Sequence, residues 1–262
     1  MLFQQIRSAT SVVTFNGKSF LIDPMLAPAH TYPIIPDSPV CGKGNPTIEL
    51  PCKAEDLFNV DAIIVTHWHF DHFDDFAMKM LPKNIPVFVQ NEREEQLTRE
   101  QGFTDVRVLK ENGSEFKGII LYKTPCDHGK SDFVTHHFYE QCQLTDQACG
   151  VVFKTTTNSE KVFYLAGDTI YFEGVVETIE KFKPDVIAVN AAGAQAPKGH
   201  ALIMNEYDVL TLMRDFPKLQ VIATHVEGVS HATVSRNSLR EFAQSKNLKL
   251  LWIPEDGQTL TF

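Results

Sequence analysis

Alternating polar and apolar positions predict short strands at the start of the chain. Residues 2–7, 11–15 and 19–22 have the composition of strands, and Asn16-Gly17 between the last two predicts a tight hairpin turn. Residues 62–65 form a continuous apolar run, which is typical of a buried strand. The first quarter of the chain is therefore expected to build a β-sheet before any helix begins.

Strands and helices alternate in the rest of the chain. Further strands are predicted over residues 87–89, 106–108, 119–123, 150–154, 162–166, 186–189, 221–223 and 248–252. Helices are predicted over residues 91–101, 171–182, 205–216 and 235–244. This order favours two mixed β-sheets packed together with helices outside. Because no linker divides the chain, residues 1–262 are expected to form a single domain.

Residues 24–52 interrupt this regular pattern. The segment is rich in Pro, Gly and Cys and shows no apolar periodicity. A loop of this length inside a compact domain is usually functional or disordered. We therefore expect it to form a flap beside an active site.

Composition narrows the function classes. The formal net charge of −9 argues against a general nucleic-acid binder, which needs a basic surface, and no apolar run is long enough to span a membrane. The five cysteines are odd in number and irregularly spaced, so they predict no disulfide framework. The first residues lack the features of a signal peptide. These features favour a cytoplasmic protein with a small-molecule substrate, and they leave room for a homo-oligomer.

The densest chemistry lies directly after the strand predicted at 62–65. The sequence Thr-His-Trp-His-Phe-Asp-His places His67, His69, Asp71 and His72 within six positions. Neutral imidazole and carboxylate are ligands for zinc, manganese and iron. In an extended segment, side chains at i and i+2 point the same way, so His67 and His69 can bind one ion together. Asp71 and His72 lie where the chain turns towards a helix, and they can bind a second ion.

Three more candidate ligands follow predicted strands, as His67 does. His128 lies in a Thr-Pro-Cys-Asp-His-Gly sequence, Asp168 in Ala-Gly-Asp-Thr, and His225 in Ala-Thr-His-Val. If four strand ends converge on one edge, these side chains join the first cluster. His136 and His137 are alternatives to His128, because a strand over residues 133–139 would turn one of them inward. Asp23, at the end of another strand, is expected to accept a hydrogen bond from a ligand imidazole.

The order of these motifs resembles the metallo-β-lactamase superfamily of metal-dependent hydrolases. The flanking sequences around Arg7, Asp23 and Asp168 are similar to those of the branch containing L-ascorbate 6-phosphate lactonase. The resemblance implies an α/β (α+β) fold, a four-layer αββα sandwich of two mixed β-sheets with the site at one edge.

The resemblance also implies a role for each candidate ligand. His67, His69 and His128 are expected to hold one divalent metal, and Asp71, His72 and His225 the other, with Asp168 bridging the two. Zinc is the first expectation, and manganese or iron suit the same ligands.

Residues beyond the ligands are expected to act on the substrate. His231 is predicted to protonate a leaving group, and Asp71 to orient or shuttle a proton. Arg236 at a helix start could bind a phosphate or carboxylate, and His200 could reach the mouth of the site.

The predicted reaction is hydrolysis by a metal-bridged hydroxide. A small ester, lactone or phosphoester is the expected substrate, with a lactonase-like enzyme favoured. A phosphodiesterase acting on a lipid or nucleotide is an alternative. A non-heme iron sulfur dioxygenase and a metal-stabilised binding module are alternatives of other classes.

Overall fold

Two seven-stranded mixed β-sheets face each other and carry helices on their outer surfaces. The computed structural model of the chain describes residues 1–35, 38, 44–142, 145–157, 161–196 and 201–262. The fold class expected from the resemblance, a four-layer αββα arrangement, is confirmed.

The first sheet has the strand order β14-β1-β2-β3-β4-β5-β6. Its strands are β1 Leu2–Arg7, β2 Thr10–Phe15, β3 Lys18–Ile22, β4 Ala62–Ile64, β5 Val87–Val89, β6 Val106–Val108 and β14 Thr259–Thr261. The strands from β14 to β3 pair antiparallel, and those from β3 to β6 pair parallel. Helices α1 (Asp75–Met80) and α2 (Glu92–Glu100) follow β4 and β5.

The second sheet repeats this plan, with the strand order β13-β12-β11-β10-β9-β8-β7. Its strands are β7 Ser114–Phe116, β8 Ile119–Pro125, β9 Cys149–Thr155, β10 Phe163–Leu165, β11 Val186–Asn190, β12 Gln220–Thr224 and β13 Leu251–Trp252. The strands from β7 to β10 pair antiparallel, and those from β10 to β13 pair parallel. Its helices are α3 Phe133–Cys142, α4 Glu173–Phe182, α5 Glu206–Asp215 and α6 Arg236–Lys246.

In the described parts of the chain, three of the four buried apolar clusters form layers that hold the sheets and helices together. One lies between the sheets and is rich in phenylalanine, including Phe3, Phe20 and Phe153. The other two pack the outer face of each sheet against its helices. Strands buried on both faces carry continuous apolar residues, which explains runs such as those of β4 and β11.

The structure departs from the sequence-based predictions in three elements. Residues 133–142 form helix α3 rather than the strand considered over 133–139, so the inward alternation suggested for His136 and His137 does not arise. Strands β7 and β14 were not predicted.

No helix among the described residues is long and apolar enough to cross a membrane.

Candidate active site

Four strand ends deliver the candidate ligands to one edge of the sandwich. His67 follows β4, His128 follows β8, Asp168 follows β10 and His225 follows β12. All four side chains are buried. The convergence expected from the sequence is therefore present, and it draws on both sheets.

All seven candidate ligands lie in one cluster. Their ligand atoms lie within 4.8 Å of one another in three sets, which are His67, His69 and His128; His67, His72 and Asp168; and Asp71, His72 and His225. The Oδ2 atom of Asp168 lies 3.9 Å from Nε2 of His67, 3.2 Å from Nε2 of His72 and 3.7 Å from Nε2 of His128. Asp168 thus stands between the two groups that the resemblance assigns to separate metals.

Backbone carbonyls fix which ring nitrogen faces the centre in two of the histidines. The carbonyl oxygen of Thr145 lies 2.9 Å from Nε2 of His69, and that of Leu202 lies 3.0 Å from Nδ1 of His128. A carbonyl can only accept, so these ring nitrogens carry the hydrogen, and in the neutral ring the opposite nitrogens present lone pairs inward. Nδ1 of His69 lies only 3.0 Å from Nε2 of His67. Bare nitrogens gathered this closely fit a bound cation.

The remaining histidines are also held from behind. Nδ1 of His72 lies 2.9 Å from the Asp23 carboxylate, as expected for Asp23, and Nδ1 of His225 lies 3.0 Å from the Ser8 hydroxyl. Ser8, Asp23 and His225 all adopt left-handed backbone conformations, with φ values of 53°, 44° and 53°. Non-glycine residues adopt this conformation at a cost, and such strain concentrates at functional sites.

Charge and burial keep most of the donors in the form that binds a metal. Burial, together with neighbouring His72, lowers the pKa of His67, and burial beside His128 lowers the pKa of His69 to about 4. Burial alone would raise the pKa of Asp168, but the nearby His72 holds it well below its usual range. Although burial opposes it, Asp168 and Asp23 raise the pKa of His72 well above its usual value. A bound cation would take the place of that proton.

A cavity of about 320 Å³ opens above the ligand cluster. Its floor includes His69, Asp71, His128 and Asp168. Its walls include Tyr32, Pro33, Ile34, Ile35, Phe70, Tyr139, Ala196 and Leu202. No Lys or Arg belongs to the lining formed by the described residues. The 24–52 segment contributes its residues 32–35 to this wall, which is the position expected of a flap.

His231 lies in the cavity wall, as its predicted role requires. The residue is only 8% exposed. Its Nδ1 atom has no hydrogen-bond partner within the described parts of the chain. Burial lowers the pKa of His231 to about 4, so the ring is neutral at pH 7.

Arg236 does not line this cavity. Its guanidinium donates to the carboxylate of Glu227 at 2.8 Å and to the carbonyl of Pro254 at 2.9 Å, and it pairs with Asp256. These contacts use the charge to join the start of α6 to the C-terminal segment. The geometry therefore favours a structural role for Arg236 over the predicted contact with substrate.

His200 and the pair His136 and His137 were also candidates for the site. His200 lies outside the described residues, so its place at the mouth of the site stays a prediction. His136 lies beside Asp146, with its Nδ1 atom 2.9 Å from the carboxylate, and His137 lies 3.6 Å from Glu140. Both side chains are about half exposed, and neither takes the place of His128.

Several residues that support the ligands were not identified from the sequence. Thr145 and Leu202 act through backbone carbonyls, which carry no residue-type signal. Ser8 and Asn190 act through side chains, and Asn190 donates to Oδ1 of Asp168 at 2.5 Å. Asn190 could have been found, because it ends an apolar strand on the face that points between the sheets.

The chain is similar to known proteins in both sequence and fold. The family model for the β-lactamase superfamily domain matches residues 18–226, a span that contains all seven candidate ligands. The chain is also 40% identical to UPF0173 protein YddR of Bacillus subtilis over 264 residues, covering all of both chains. This chain belongs to the metallo-β-lactamase superfamily. Within it, the protein is a member of the UPF0173 family of metal-dependent hydrolases.

Solved structures support the same assignment. The isothiocyanate hydrolase from Delia radicum gut bacteria is 36% identical, with a TM-score of 0.93, and the match covers 100% of this chain and 99% of that one. A possible metal-dependent hydrolase from Veillonella parvula has the same identity, TM-score and coverage. This UPF0173 protein is therefore a metal-dependent hydrolase, whereas the narrower resemblance to L-ascorbate 6-phosphate lactonase stays a prediction.

Proposed function

We propose that this enzyme uses two divalent metal ions to hydrolyse a small uncharged electrophile that carries an apolar group, with isothiocyanates as the first substrate class. The observation that carries the proposal is the cavity above the ligands. Its volume of about 320 Å³ suits a small molecule, and its walls are mainly hydrocarbon and aromatic.

The lack of cationic side chains in the described lining argues against a substrate that carries a phosphate away from its reacting centre. Phosphate recognition away from the reacting centre normally uses Arg, Lys or a helix N-terminus. The described lining contains neither Lys nor Arg, and the guanidinium of Arg236 is paired with acids elsewhere. These features disfavour a phosphorylated lactone and a phosphodiester, and they favour an uncharged substrate. An unphosphorylated lactone fits the same cavity and belongs in the same substrate test.

Similarity supports isothiocyanates in particular. The isothiocyanate hydrolase from Delia radicum gut bacteria matches essentially the whole chain at 36% identity. An isothiocyanate, R–N=C=S, combines a compact electrophilic carbon with a group R that is often hydrocarbon. The electrophile would lie near the ligand cluster, and R would pack against residues such as Ile34 and Phe70.

Hydrolysis requires water to add to the central carbon and a proton to reach nitrogen. Metal ions at the seven ligands would supply hydroxide at neutral pH and stabilise developing negative charge. Addition of water forms a C–O bond and gives R–NH–C(=S)–OH. Proton transfer to nitrogen and cleavage of the C–N bond then give R–NH₂ and carbonyl sulfide, which balances the reaction.

His231 is placed to assist the proton transfer. It lies in the wall of the cavity with Nδ1 unpartnered in the described residues. Because the ring is neutral at pH 7, it can accept a proton from water and return it to the substrate nitrogen. This relay is consistent with the role predicted from the sequence, which was protonation of a leaving group.

The test combines metal analysis with a substrate panel. Purified protein is assayed for bound zinc, manganese and iron, and then with allyl and 2-phenylethyl isothiocyanate, an uncharged lactone, a phosphorylated lactone and a phosphodiester. We expect two metals per chain and release of amine and carbonyl sulfide from the isothiocyanates. The phosphodiester should be turned over far more slowly.

An engineered cation gives a matched comparison. Ile34 lines the cavity and is 42% exposed, so Ile34→Lys adds charge without burying it completely. The variant should shift relative kcat/KM towards anionic substrates by roughly tenfold, whereas Ile34→Met should not. A metal-loaded wild-type enzyme that hydrolyses only phosphorylated substrates would contradict the proposal.

A further inference from the structure

Strand β11 ends with a polar residue on the face that points between the two sheets. Along a strand, alternate side chains point to the same face. Val186 and Ala188 belong to the apolar layer between the sheets, whereas Ile187 and Val189 pack on the helix side. Asn190 continues the first set and is 2% exposed. Its side chain therefore ends the inter-sheet core directly beneath the ligand cluster.

Asn190 contacts one oxygen of the central carboxylate. Its Nδ2 atom donates to Oδ1 of Asp168 at 2.5 Å. The other oxygen, Oδ2, faces the Nε2 atoms of His67, His72 and His128 at 3.2 to 3.9 Å. The two oxygens of this carboxylate therefore have different surroundings, one amide donor and three imidazoles.

We propose that Asn190 is a positioning residue that occupies Oδ1 of Asp168 and so leaves Oδ2 as the oxygen that would be available to bound metal ions. The inference goes beyond the hydrolytic function and does not depend on which substrate is used. It rests on the metal site alone, and metal binding can be measured without turnover.

The chemistry of a carboxamide suits this task. The amide nitrogen is a donor only, so it can hold a carboxylate oxygen without competing with it for a cation. The group is also neutral, so it does not neutralise the carboxylate as Lys or Arg would. Gly167, the residue before Asp168, has a φ of 71°, and a Cβ atom there would stand 2.5 Å from the carbonyl oxygen of Cys149. The backbone turn and the amide together fix the rotation of the carboxylate.

The test measures binding of Mn²⁺ to metal-free protein by calorimetry and electron paramagnetic resonance. Wild-type protein should bind two ions and show the exchange-coupled signal of a manganese pair. In Asn190→Ala the carboxylate can rotate, so affinity for at least one ion should fall about 10- to 100-fold, and the coupled signal should weaken or change. If the alanine variant folds poorly, Asn190→Ser gives the same test, because the serine hydroxyl is too short to take the place of the amide. The same loss of affinity is expected.

Two controls separate positioning from general destabilisation. Asn247 caps α6 in a left-handed conformation and has no part in the site, so Asn247→Ala costs stability without a reason to alter metal binding. A double-mutant cycle with Asp168→Ala gives the second control. If Asn190 acts through Asp168, its substitution should have little further effect on metal affinity once that carboxylate is gone.

The proposal is overturned by either of two results. One is that folded Asn190→Ala or Asn190→Ser binds two Mn²⁺ ions with wild-type affinity and the wild-type coupled signal. The other is that the loss of affinity is equally large with and without Asp168. Wild-type protein that binds two ions normally but hydrolyses none of the panel would refute the proposed substrate class and leave this inference standing.

Discussion

The ligand cluster and the cavity wall above it are built in opposite ways. Each histidine of the cluster has its outward nitrogen near a fixed polar partner, such as Asp23 behind His72 or the Leu202 carbonyl behind His128. The wall is mostly apolar, and part of it comes from residues 32–35 of the irregular 24–52 segment. The cluster is specified by polar contacts at strand ends, whereas the wall is specified by shape and hydrophobicity.

Separate anchors hold the wall segment. Arg7 is fully buried and donates to the carbonyls of Met25, Ala27 and Ile48, all within the 24–52 segment. None of these partners is a candidate ligand. Residues 32–35 contain no candidate ligand, so substitutions there can change this part of the wall without removing a metal-binding side chain.

Removing the central carboxylate should have the largest effect. Asp168→Ala deletes the side chain that stands between the two ligand groups, so kcat/KM should fall on the order of a thousandfold or more. Metal analysis should show a reduced metal content in the folded variant. Full activity with both metals retained would show that Asp168 does not bridge the metals and that the cluster does not need this carboxylate.

The next prediction compares His231 with Arg236, two polar residues that lie close together in the sequence. His231→Gln should lower kcat on the order of a hundredfold with metal content unchanged, because it removes a proton carrier from the cavity wall. Arg236→Gln should instead lower the free energy of unfolding by about 2 kcal/mol, because the half-buried Asp256 loses its charged hydrogen-bond partner. Its kcat per folded molecule should stay near the wild-type value. Steady-state kinetics and urea unfolding on both variants test these expectations. Loss of kcat with unchanged stability in Arg236→Gln would instead support contact between Arg236 and the substrate.

A smaller effect concerns the support behind the ligand loop. The Glu94 carboxylate accepts from the backbone N–H of Trp68, between two ligands, and burial raises the pKa of Glu94 to about 7. The folded state therefore binds this proton more tightly than the unfolded state, so stability contributed by protonated Glu94 is present at pH 4 and is lost as the pH rises towards 7. Glu94→Gln replaces the titrating carboxyl with a neutral amide, so the variant avoids this loss. The change that it causes in the free energy of unfolding should be more stabilising at pH 8 than at pH 4 by roughly 2 kcal/mol.

Urea unfolding at both pH values measures this difference, and exposed Glu100→Gln serves as the control. Equal effects of Glu94→Gln at pH 4 and pH 8 would mean that Glu94 titrates normally.

Local patterns predicted most of the fold correctly. Helices α2, α4, α5 and α6 lie within one or two residues of their predicted limits, because capping residues such as Asn91 and Ser235 mark where they begin. Short edge strands were missed. Strand β14 pairs with β1, at the other end of the chain, and no local feature reports such a partner. Helix α3 was unclear because its sequence lacks a strong amphipathic pattern.

The clustering of the candidate ligands was predictable where they occur in a dense motif or follow an apolar strand. The groups that orient them were less so. Asp23 could be proposed because a carboxylate at a strand end is a common partner for imidazole. Leu202 and Thr145 could not, since any residue has a carbonyl and only the folded path of the chain brings it to the site. For Arg236 the sequence could not distinguish two roles, because an arginine at a helix start serves a phosphate or an internal acid equally well.

The matching strand order of the two sheets has a consequence for His72. In each sheet, three antiparallel strands lead into a parallel series, so β3 of the first corresponds to β10 of the second. Asp23 follows β3 and Asp168 follows β10, and His72 lies between them, 2.9 Å from one carboxylate and 3.2 Å from the other. The Nδ1 atom of His72 thus faces the carboxylate that the first sheet supplies and its Nε2 atom faces the carboxylate that the second sheet supplies, so the orientation of this ring depends on how the two sheets pack together.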